Sequence, residues 1–271
     1  MNFSVLMSVY FKENAEFLNR AMVSIWDEQI LKPNQIVLVE DGKLTDELYD
    51  VITKWKNKLG EVLAIKTLKK NMGLGDALNK GLDECKYELV ARMDSDDISA
   101  PSRFEKQISI FKNNLDIDIC GSWISEFDSD ENEILSYRKL PQTHDEIVKF
   151  AKIRSPINHP SVMFKKSAVL SAGSYQKMIF LEDYYLWVRM IMNGAKFYNI
   201  QEALVNMRAG TSQLSRRSGL RYAKYEFALL KAMKNLGFLS SFEFIKMAII
   251  KIPLRLMPKS ILKNVYKLLR S

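Results

Sequence analysis

The stretch Met93-Asp94-Ser95-Asp96-Asp97 holds three carboxylates within four residues, directly after the apolar run Glu88-Leu89-Val90-Ala91. Carboxylates this close together repel one another, and holding them beside Leu and Val costs free energy unless a cation lies among them. Oxygen ligands favour a hard divalent ion such as Mg²⁺ or Mn²⁺, which takes further ligands from a substrate phosphate. The stretch predicts a metal site for a diphosphate, with a solvated acidic turn as the alternative.

Outward from this stretch, apolar runs alternate with helical patterns. The runs cover about residues 3–10, 35–39, 62–67 and 87–97. This alternation predicts an α/β fold with a Rossmann-like, mostly parallel sheet flanked by helices. Ligands of such sheets bind at the carboxyl ends of the strands. Glu40 and Asp41, which follow the second run, are therefore expected to face one crevice together with the acids at 94–97.

The segment Lys70-Asn71-Met72-Gly73-Leu74-Gly75 opens a helix on which apolar residues repeat at helical spacing. Its glycines can let a ligand or a neighbouring strand come close, and a purely packing role is the alternative. The segment is only weak evidence for a phosphate loop, because the Gly-x-Gly-x-x-Gly order and a following Lys-Ser/Thr are both missing.

Two further stretches carry candidate site residues. His159 lies at the mouth of an apolar strand, and both a structural and a functional role are open for it. Glu182 and Asp183 open an amphipathic helix. Acids at that position are ordinary partners of the helix macrodipole, although the neighbouring aromatic residues favour a carboxylate that acts as a base in a pocket.

The C-terminal part of the chain is basic. Residues 244–271 contain seven bases and no acid, which leaves only +1 of the total charge of +8 for residues 1–243. Nucleic-acid binding is therefore not expected of the main body. The segment has no uncharged apolar run of membrane-spanning length, and Pro253 and Pro258 are expected to break it. It is predicted to lie on an anionic membrane face, with a helical hairpin packed on the domain as the alternative.

The remaining expectations concern organisation and compartment. A short strand at 204–208 precedes a polar loop whose Arg216 and Arg217 either close over an anion or form a solvated turn. Residues 1–215 are predicted to form one domain and residues 216–271 a helical segment. Cys85 and Cys120 lack metal-type spacing and are expected to be reduced. Because no signal peptide pattern opens the sequence, a cytoplasmic location is expected.

Six motifs in register resemble the family 2 glycosyltransferases of the GT-A fold, over about residues 3–215. They are the strand at 4–10, Glu40-Asp41-Gly42, Asn71-Met72-Gly73 with Ala77-x-Asn79-x-Gly81, Asp94-Ser95-Asp96-Asp97, Asn158-His159-Pro160-Ser161 and Glu182-Asp183. Within that family, the sequence resembles bacterial glycosyltransferases of O-antigen and exopolysaccharide assembly, including the amylovoran type.

The resemblance implies a role for each matched residue. In the nucleotide site, Glu40 or its neighbour Asp41 would contact the uracil or ribose, beside Val9 and Asn71. Asp94 would be the acid on the side of the ribose and the metal. These positions come from the resemblance and not from spacing alone.

The matched residues also imply a metal site and a catalytic base. Asp96, with Asp94 and His159, would hold Mn²⁺ or Mg²⁺, and Arg208 would lie near the diphosphate or the acceptor. Asp183, next to Glu182, stands in the position of the base.

The implied activity is transfer of galactose or glucose from a UDP-sugar, with inversion, to an N-acetylhexosamine on a polyprenyl diphosphate at the inner face of the membrane. A sugar-phosphate nucleotidyltransferase is the nearest rival, but its Gly-rich loop is absent where Phe11-Lys12-Glu13-Asn14 stands. A non-catalytic, membrane-associated assembly factor is the second rival, and the complete set of acids argues against it.

Overall fold

A nine-stranded sheet runs through the protein, which the computed structural model describes over residues 1–209 and 219–256. The strands are β1 Phe3–Val9, β2 Gln35–Glu40, β3 Leu63–Thr67, β4 Leu89–Asp94, β5 Ile98–Ser99, β6 Ile117–Phe127, β7 Ser136–Arg138, β8 Met163–Lys165 and β9 Lys196–Arg208. The helices are α1 Ala15–Trp26, α2 Asp46–Leu59, α3 Leu74–Glu84, α4 Arg103–Asn113, α5 His144–Ala151, α6 Lys166–Ser171, α7 Glu182–Met192, α8 Leu220–Asn235 and α9 Ser241–Leu256.

The sheet has a parallel half and a mixed half. Its order is β3-β2-β1-β4-β8-β6-β9-β5, with β7 attached to β6. The first four strands of this order are all parallel, whereas β8 pairs antiparallel with both β4 and β6. The predicted α/β class with helices flanking the sheet is confirmed, and the strands are parallel where the nucleotide site was predicted.

Side chains of the central strands alternate between two cores, as the period of a strand requires. Met7 and Met93 face the core that β1 and β4 share with α1, α2 and α4. Leu6 and Val90 face the opposite core, which contains residues of α3, α6 and α7. Because a hydrophobic core covers each face of the sheet, these strands are continuous apolar runs in the sequence.

Local sequence fixes the helix starts. The Asn14 side chain accepts a 2.7 Å hydrogen bond from the main-chain N–H of Glu16 and caps α1. Thr143 and Glu146 form a capping box at the start of α5. Such caps satisfy N–H groups that have no partner within the helix.

The C-terminal helices α8 and α9 pack on α7. Tyr184 of α7 shares a third core with Leu229 and Met233 of α8 and with Met247 of α9. Residues 219–256 therefore form a hairpin packed on the domain, and the predicted membrane contact of the C-terminal segment stays a prediction. Along that part of the chain and residues 1–209, no helix is long and apolar enough to cross a bilayer.

Two elements differ from expectation. Pro253 does not break the C-terminal segment but lies inside α9, which the structure describes as far as Leu256. A proline inside a helix removes one main-chain hydrogen bond, and the apolar contacts of this hairpin hold the helix despite that loss. The last strand is longer than expected, because β9 pairs with β6 from Lys196 to Arg208. The domain boundary at 215/216, Arg216, Arg217 and Pro258 lie outside the described residues.

Candidate active site

Three neighbouring strands end at one edge of the sheet, and each carries a predicted site residue there. Val9 ends β1 and lies in register with Glu40, the last residue of β2. On the other side of β1, Ser8 is in register with Asp94, which ends β4. Glu40 and Asp94 therefore flank β1 at its carboxyl end, where parallel sheets bind their ligands.

The adjacent acids Glu40 and Asp41 are both buried but have different partners. Oε2 of Glu40 accepts a 2.7 Å hydrogen bond from the Thr67 hydroxyl. The two carboxylate oxygens of Asp41 accept hydrogen bonds from the main-chain N–H groups of Met72 (2.6 Å) and Gly73 (3.0 Å). Asp41 therefore holds the loop that precedes α3.

The loop after β2 and the loop before α3 pack backbone against backbone. The Asn71 side-chain amide donates a 3.3 Å hydrogen bond to the main-chain oxygen of Asp41. Gly42 has a φ of +89°, and a Cβ at this position would lie 2.6 Å from the main-chain nitrogen of Asn71. The glycine is required here by the close approach of the two loops.

Asp94 is held by a buried positive charge on its own strand. Nη2 of Arg92 donates a hydrogen bond to Oδ1 of Asp94. The Arg92 side chain is 2% exposed and that of Asp94 is 33% exposed. Nε and Nη1 of Arg92 are buried without a hydrogen-bond partner among the described residues. The ion pair thus orients a carboxylate that still reaches solvent.

Four carboxylates crowd the end of β4. Burial raises the pKa of the Asp96 carboxyl to about 7, and Asp94 and Glu13 push it in the same direction. Burial also raises the pKa of Asp97, with added repulsion from Asp94 and Asp96. Glu13 reaches this cluster from the loop after β1, where its Oε2 accepts a 2.6 Å hydrogen bond from the Ser95 hydroxyl.

This excess of negative charge fits a bound cation, which would relieve the repulsion. Oδ2 of Asp97 is buried and has no hydrogen-bond donor among the described residues. Within residues 1–209 and 219–256, no group of three or more His, Cys, Asp or Glu side chains is arranged to hold a metal ion. The protein could therefore supply one or two ligands, Asp96 and Asp94, and leave the other positions to water or a substrate phosphate.

Arg208 lies beside the acidic stretch, at the end of β9. Its guanidinium carbon is 3.7 Å from the ring centre of Phe17 and 4.5 Å from that of Phe127. Its Nε donates a 3.3 Å hydrogen bond to the main-chain oxygen of Asp96. These contacts anchor the acidic stretch, and the predicted contact of Arg208 with a diphosphate or acceptor stays a prediction.

His159 is half-buried and lies against two buried aromatic residues, Tyr175 and Trp187. Its Nε2 lies 2.9 Å from the hydroxyl oxygen of Tyr175, and its ring centre lies 5.9 Å from that of Trp187. Burial and the nearby charge of Arg92 lower the pKa of His159 well below its ordinary value, so the ring is neutral. Because Nε2 contacts Tyr175, a role for His159 as a metal ligand stays a prediction.

Tyr175 connects the acidic stretch with α7. The Asn79 side chain exchanges two hydrogen bonds with the main chain of Tyr175, at 2.8 and 2.9 Å. Burial raises the pKa of the Tyr175 hydroxyl, Arg92 opposes this, and Asp183 and Asp94 add to it. Both carboxylates therefore lie within electrostatic range of this hydroxyl.

Glu182 and Asp183 are the first two residues of α7, as expected. A Cβ on Gly75 would lie 3.5 Å from Cγ of Glu182, so this glycine leaves room for the start of α7. Burial raises the pKa of Glu182, with contributions from Asp183 and Asp76. Phe180 has a φ of +66°, and strain in a non-glycine residue beside a site is typical of functional regions.

Sequence reasoning missed four residues of the site: Tyr10, Glu13, Arg92 and Tyr175. Arg92 could have been found, because a base two positions before Asp94 in a strand must share its face. Tyr10 directly follows β1 and is 40% exposed at the same edge of the sheet. Glu13 and Tyr175 lie in loops, where no periodic pattern predicts the direction of a side chain.

Comparison with known proteins agrees with this geometry. The family described as glycosyl transferase family 2 matches residues 4–170, more than half of the chain. The amylovoran biosynthesis glycosyltransferase AmsE of Erwinia amylovora is 40% identical over 268 residues, covering 98% of both chains. An Escherichia coli protein named UDP-Gal:alpha-D-GlcNAc-diphosphoundecaprenol beta-1,3-galactosyltransferase is 39% identical and covers 98% of this chain and 95% of its own.

Solved structures show the same fold at low sequence identity. S. aureus TarS 1–349 in complex with UDP-GlcNAc has a TM-score of 0.68 at 16% identity, covering 92% of this chain and 70% of that one. The mannosyltransferase PcManGT from Pyrobaculum calidifontis, in complex with GDP-Man and Mn²⁺, has a TM-score of 0.67 at 13% identity, covering 99% and 80%. The residues matched by the family include the strands that carry the acids of the site. The chain therefore belongs to glycosyl transferase family 2.

Proposed function

We propose that the protein is an inverting, metal-dependent hexosyltransferase that moves galactose or glucose from a UDP-sugar to an N-acetylhexosamine on a polyprenyl diphosphate. The observation that carries the proposal is the meeting of Val9, Glu40 and Asp94 at the carboxyl ends of three neighbouring strands, in a chain of glycosyl transferase family 2. The donor diphosphate would lie beside Asp94, and the acceptor hydroxyl would lie beside Asp183.

The named relatives support the choice of substrates. The E. coli relative carries UDP-Gal and GlcNAc-diphosphoundecaprenol in its name, together with a β-1,3 linkage. AmsE is named for amylovoran biosynthesis. These names favour galactose as the sugar, a lipid-linked N-acetylglucosamine as the acceptor, and a place in O-antigen or exopolysaccharide assembly.

The nucleotide would bind at the ends of β1 and β2. Glu40, with Val9 and Asn71, would contact the uracil and ribose, because both oxygens of Asp41 already accept main-chain hydrogen bonds. Asp94, fixed by Arg92 yet one-third exposed, would accept hydrogen bonds from the ribose hydroxyls.

Asp96, assisted by Asp94, would hold Mn²⁺ or Mg²⁺. Its pKa of about 7 indicates that negative charge at this position is in excess when no cation is bound. A bound divalent ion would neutralise the charge that develops on the departing UDP.

The transfer needs one displacement. The oxygen of the acceptor hydroxyl attacks the anomeric carbon from the face opposite UDP, and the bond between that carbon and the UDP oxygen breaks. Asp183 takes the proton of the hydroxyl as general base, and Glu182 packs beside it at the start of α7. A single displacement inverts the configuration at the anomeric carbon, so no nucleophile of the enzyme is required.

Since the acceptor carries a polyprenyl chain, the reaction would take place at a membrane surface. We infer that the protein works there as a peripheral protein, on the inner face of the cell membrane where UDP-sugars are available. The basic charge of residues 244–271 supports this location.

A donor screen tests the proposal. Purified protein with Mn²⁺ would be given a panel of UDP-sugars, and release of UDP would be measured with and without a synthetic GlcNAc-diphosphate-lipid. We expect UDP to be released with one UDP-hexose, and this release should require both the metal and the acceptor. The variant Asp183→Asn is the matched inactive control. Absence of release with every donor, together with absence of UDP binding by calorimetry, would contradict the proposal.

A further inference from the structure

The outward face of α8 carries a row of bases. Arg221, Lys224, Lys231 and Lys234 are all exposed and recur at spacings of three, seven and three residues, which places them on one side of the helix. Phe227 lies among them and is 44% exposed.

The outward face of α9 is apolar. Phe242, Ile245, Ile249 and Leu256 are 76%, 55%, 68% and 49% exposed, and Pro253 between the last two is also exposed. Their spacings of three, four, four and three residues put them along a single stripe. The opposite face of α9 is the one that packs on the domain, through Met247.

The acids of these two helices are engaged elsewhere. Glu226 accepts hydrogen bonds from Lys251 (3.0 Å) and Arg255 (2.5 Å) and is buried between α8 and α9. Glu243 accepts a 2.7 Å hydrogen bond from Lys152, the residue directly after α5. Two of the C-terminal bases therefore serve the hairpin itself, and the positive charge of the outer surface comes chiefly from α8.

We propose that this outer surface of α8 and α9 lies on an anionic lipid bilayer, with the stripe of α9 inserted among the lipids and the base row of α8 on their headgroups. An exposed apolar stripe flanked by bases is the pattern of helices that lie in a membrane interface. A second copy of the chain fits less well, because a two-fold contact would bring two sets of unopposed bases into one interface.

The surface adjoins the proposed catalytic helix, and this step rests on the proposed function. The ring of Phe180, two residues before α7, lies 6.2 Å from the ring of Tyr222 and 5.9 Å from that of Tyr225, both on α8. Docking of α8 would therefore hold the start of α7 near the lipid surface, from which a polyprenyl-linked acceptor projects.

Vesicle sedimentation with the full chain tests the proposal. Binding would be compared on phosphatidylcholine vesicles and on vesicles with about 30% phosphatidylglycerol, whose negative surface attracts bases close to it. The parent is expected to bind the anionic vesicles at least about tenfold more tightly, because several bases act together. Ile245→Ser with Ile249→Ser, and Lys224→Gln with Lys231→Gln, are each expected to weaken that binding about tenfold or more.

Matched controls use exposed residues of other elements. Leu115→Ser changes a side chain that is 70% exposed, and Lys54→Gln with Lys80→Gln removes two exposed bases of α2 and α3. These variants are expected to bind vesicles like the parent. All variants should transfer sugar normally to a short-chain, water-soluble acceptor, so failure of membrane docking is distinguishable from failure of the proposed transferase activity.

Three results would overturn the proposal. One is binding of the α8 and α9 variants to anionic vesicles as tightly as the parent, which would assign lipid binding to residues 257–271 or to another surface. Another is absence of vesicle binding by the parent. The third is a dimer in light scattering that dissociates when Ile245 and Ile249 are changed, which would make the stripe an interface between two copies.

Discussion

The main-chain N–H of Arg208 donates a 2.9 Å hydrogen bond to Oδ1 of Asp97, across 111 residues of sequence. This bond joins the end of β9 to the acidic stretch, next to the point where the short strand β5 pairs with β9. Asp97 is 2% exposed. The third carboxylate of the motif therefore supports the sheet, while Asp94 and Asp96 remain for ligands.

Asp97→Asn is expected to preserve the fold, because an amide oxygen can still accept the N–H of Arg208. Asp97→Ala would leave that buried N–H without a partner and should lower the free energy of unfolding by about 1–3 kcal/mol. Urea unfolding of both variants in the presence of a chelator measures this. If the Asn variant kept its stability but lost Mn²⁺ binding, Asp97 would be a metal ligand instead.

Asp97 should also make stability depend on pH. Its folded-state pKa is raised, mainly by burial, so the folded state retains a proton that the unfolded state releases above about pH 4. The parent is therefore expected to lose stability as pH rises from that value through the folded pKa. In the absence of metal, the free energy of unfolding of the parent should decrease from pH 5 to pH 8, and that of Asp97→Asn should decrease less. An equal decrease in both proteins would contradict the raised pKa of Asp97.

Substitution of Asp41 is expected to lower stability, whereas substitution of Glu40 is expected to weaken binding of the UDP-sugar. Asp41→Asn replaces one acceptor of a main-chain N–H with a donor, so it should cost about 1–3 kcal/mol of folding free energy. Glu40→Gln can keep its hydrogen bond to Thr67 and should leave stability unchanged, but raise KM for the UDP-sugar about tenfold by loss of a charge-assisted hydrogen bond. Urea unfolding and donor saturation curves check both. The reverse pattern would make Asp41 the nucleotide contact.

Asp183→Asn is expected to reduce kcat by about 10²–10⁴-fold, since the proton of the acceptor hydroxyl would have no base. Calorimetry with UDP should show unchanged donor binding, because the nucleotide residues lie on β1, β2 and β4. Glu182→Gln is the matched control and should show a smaller loss. Simultaneous loss of transfer and of UDP binding in Asp183→Asn would argue against its role as the base.

Glu226→Gln should destabilise the C-terminal hairpin. The side chain of Glu226 is 4% exposed, and the change leaves the charges of Lys251 and Arg255 without their carboxylate, at a cost of about 3–5 kcal/mol. Burial alone would raise the pKa of Glu226, but hydrogen bonds from Arg255 and Lys251 outweigh it and lower the pKa. Its stabilisation is therefore present above about pH 4.5 and is lost as the pH falls through the folded pKa.

Chemical denaturation at pH 7 and at a series of pH values below about 4.5 measures this effect. Glu243→Gln, at the more exposed pair with Lys152, is the matched control and should cost less than about 1 kcal/mol. A small change in both variants would mean that the apolar contacts of α8 and α9 alone hold the hairpin.

The sequence by itself determined the parallel half of the sheet and the edge at which its acids meet. Apolar runs and helical patterns depend on neighbours a few residues away, and parallel strands must align their carboxyl ends, so Val9, Glu40 and Asp94 could be assigned to one edge. The capping residues Asn14 and Thr143 were predictable for the same reason, since a cap acts within one helical turn.

Only the tertiary structure decided which partner each side chain has. Asp41 holds a loop and Glu40 remains for the proposed nucleotide contact, because two main-chain N–H groups some thirty residues away donate to Asp41. Tyr175 and Glu13 join the site from loops, in which side-chain direction has no period. Packing likewise assigned Lys251 and Arg255 to Glu226 and left the stripe of α9 exposed, because burial depends on which surfaces meet after the chain has folded.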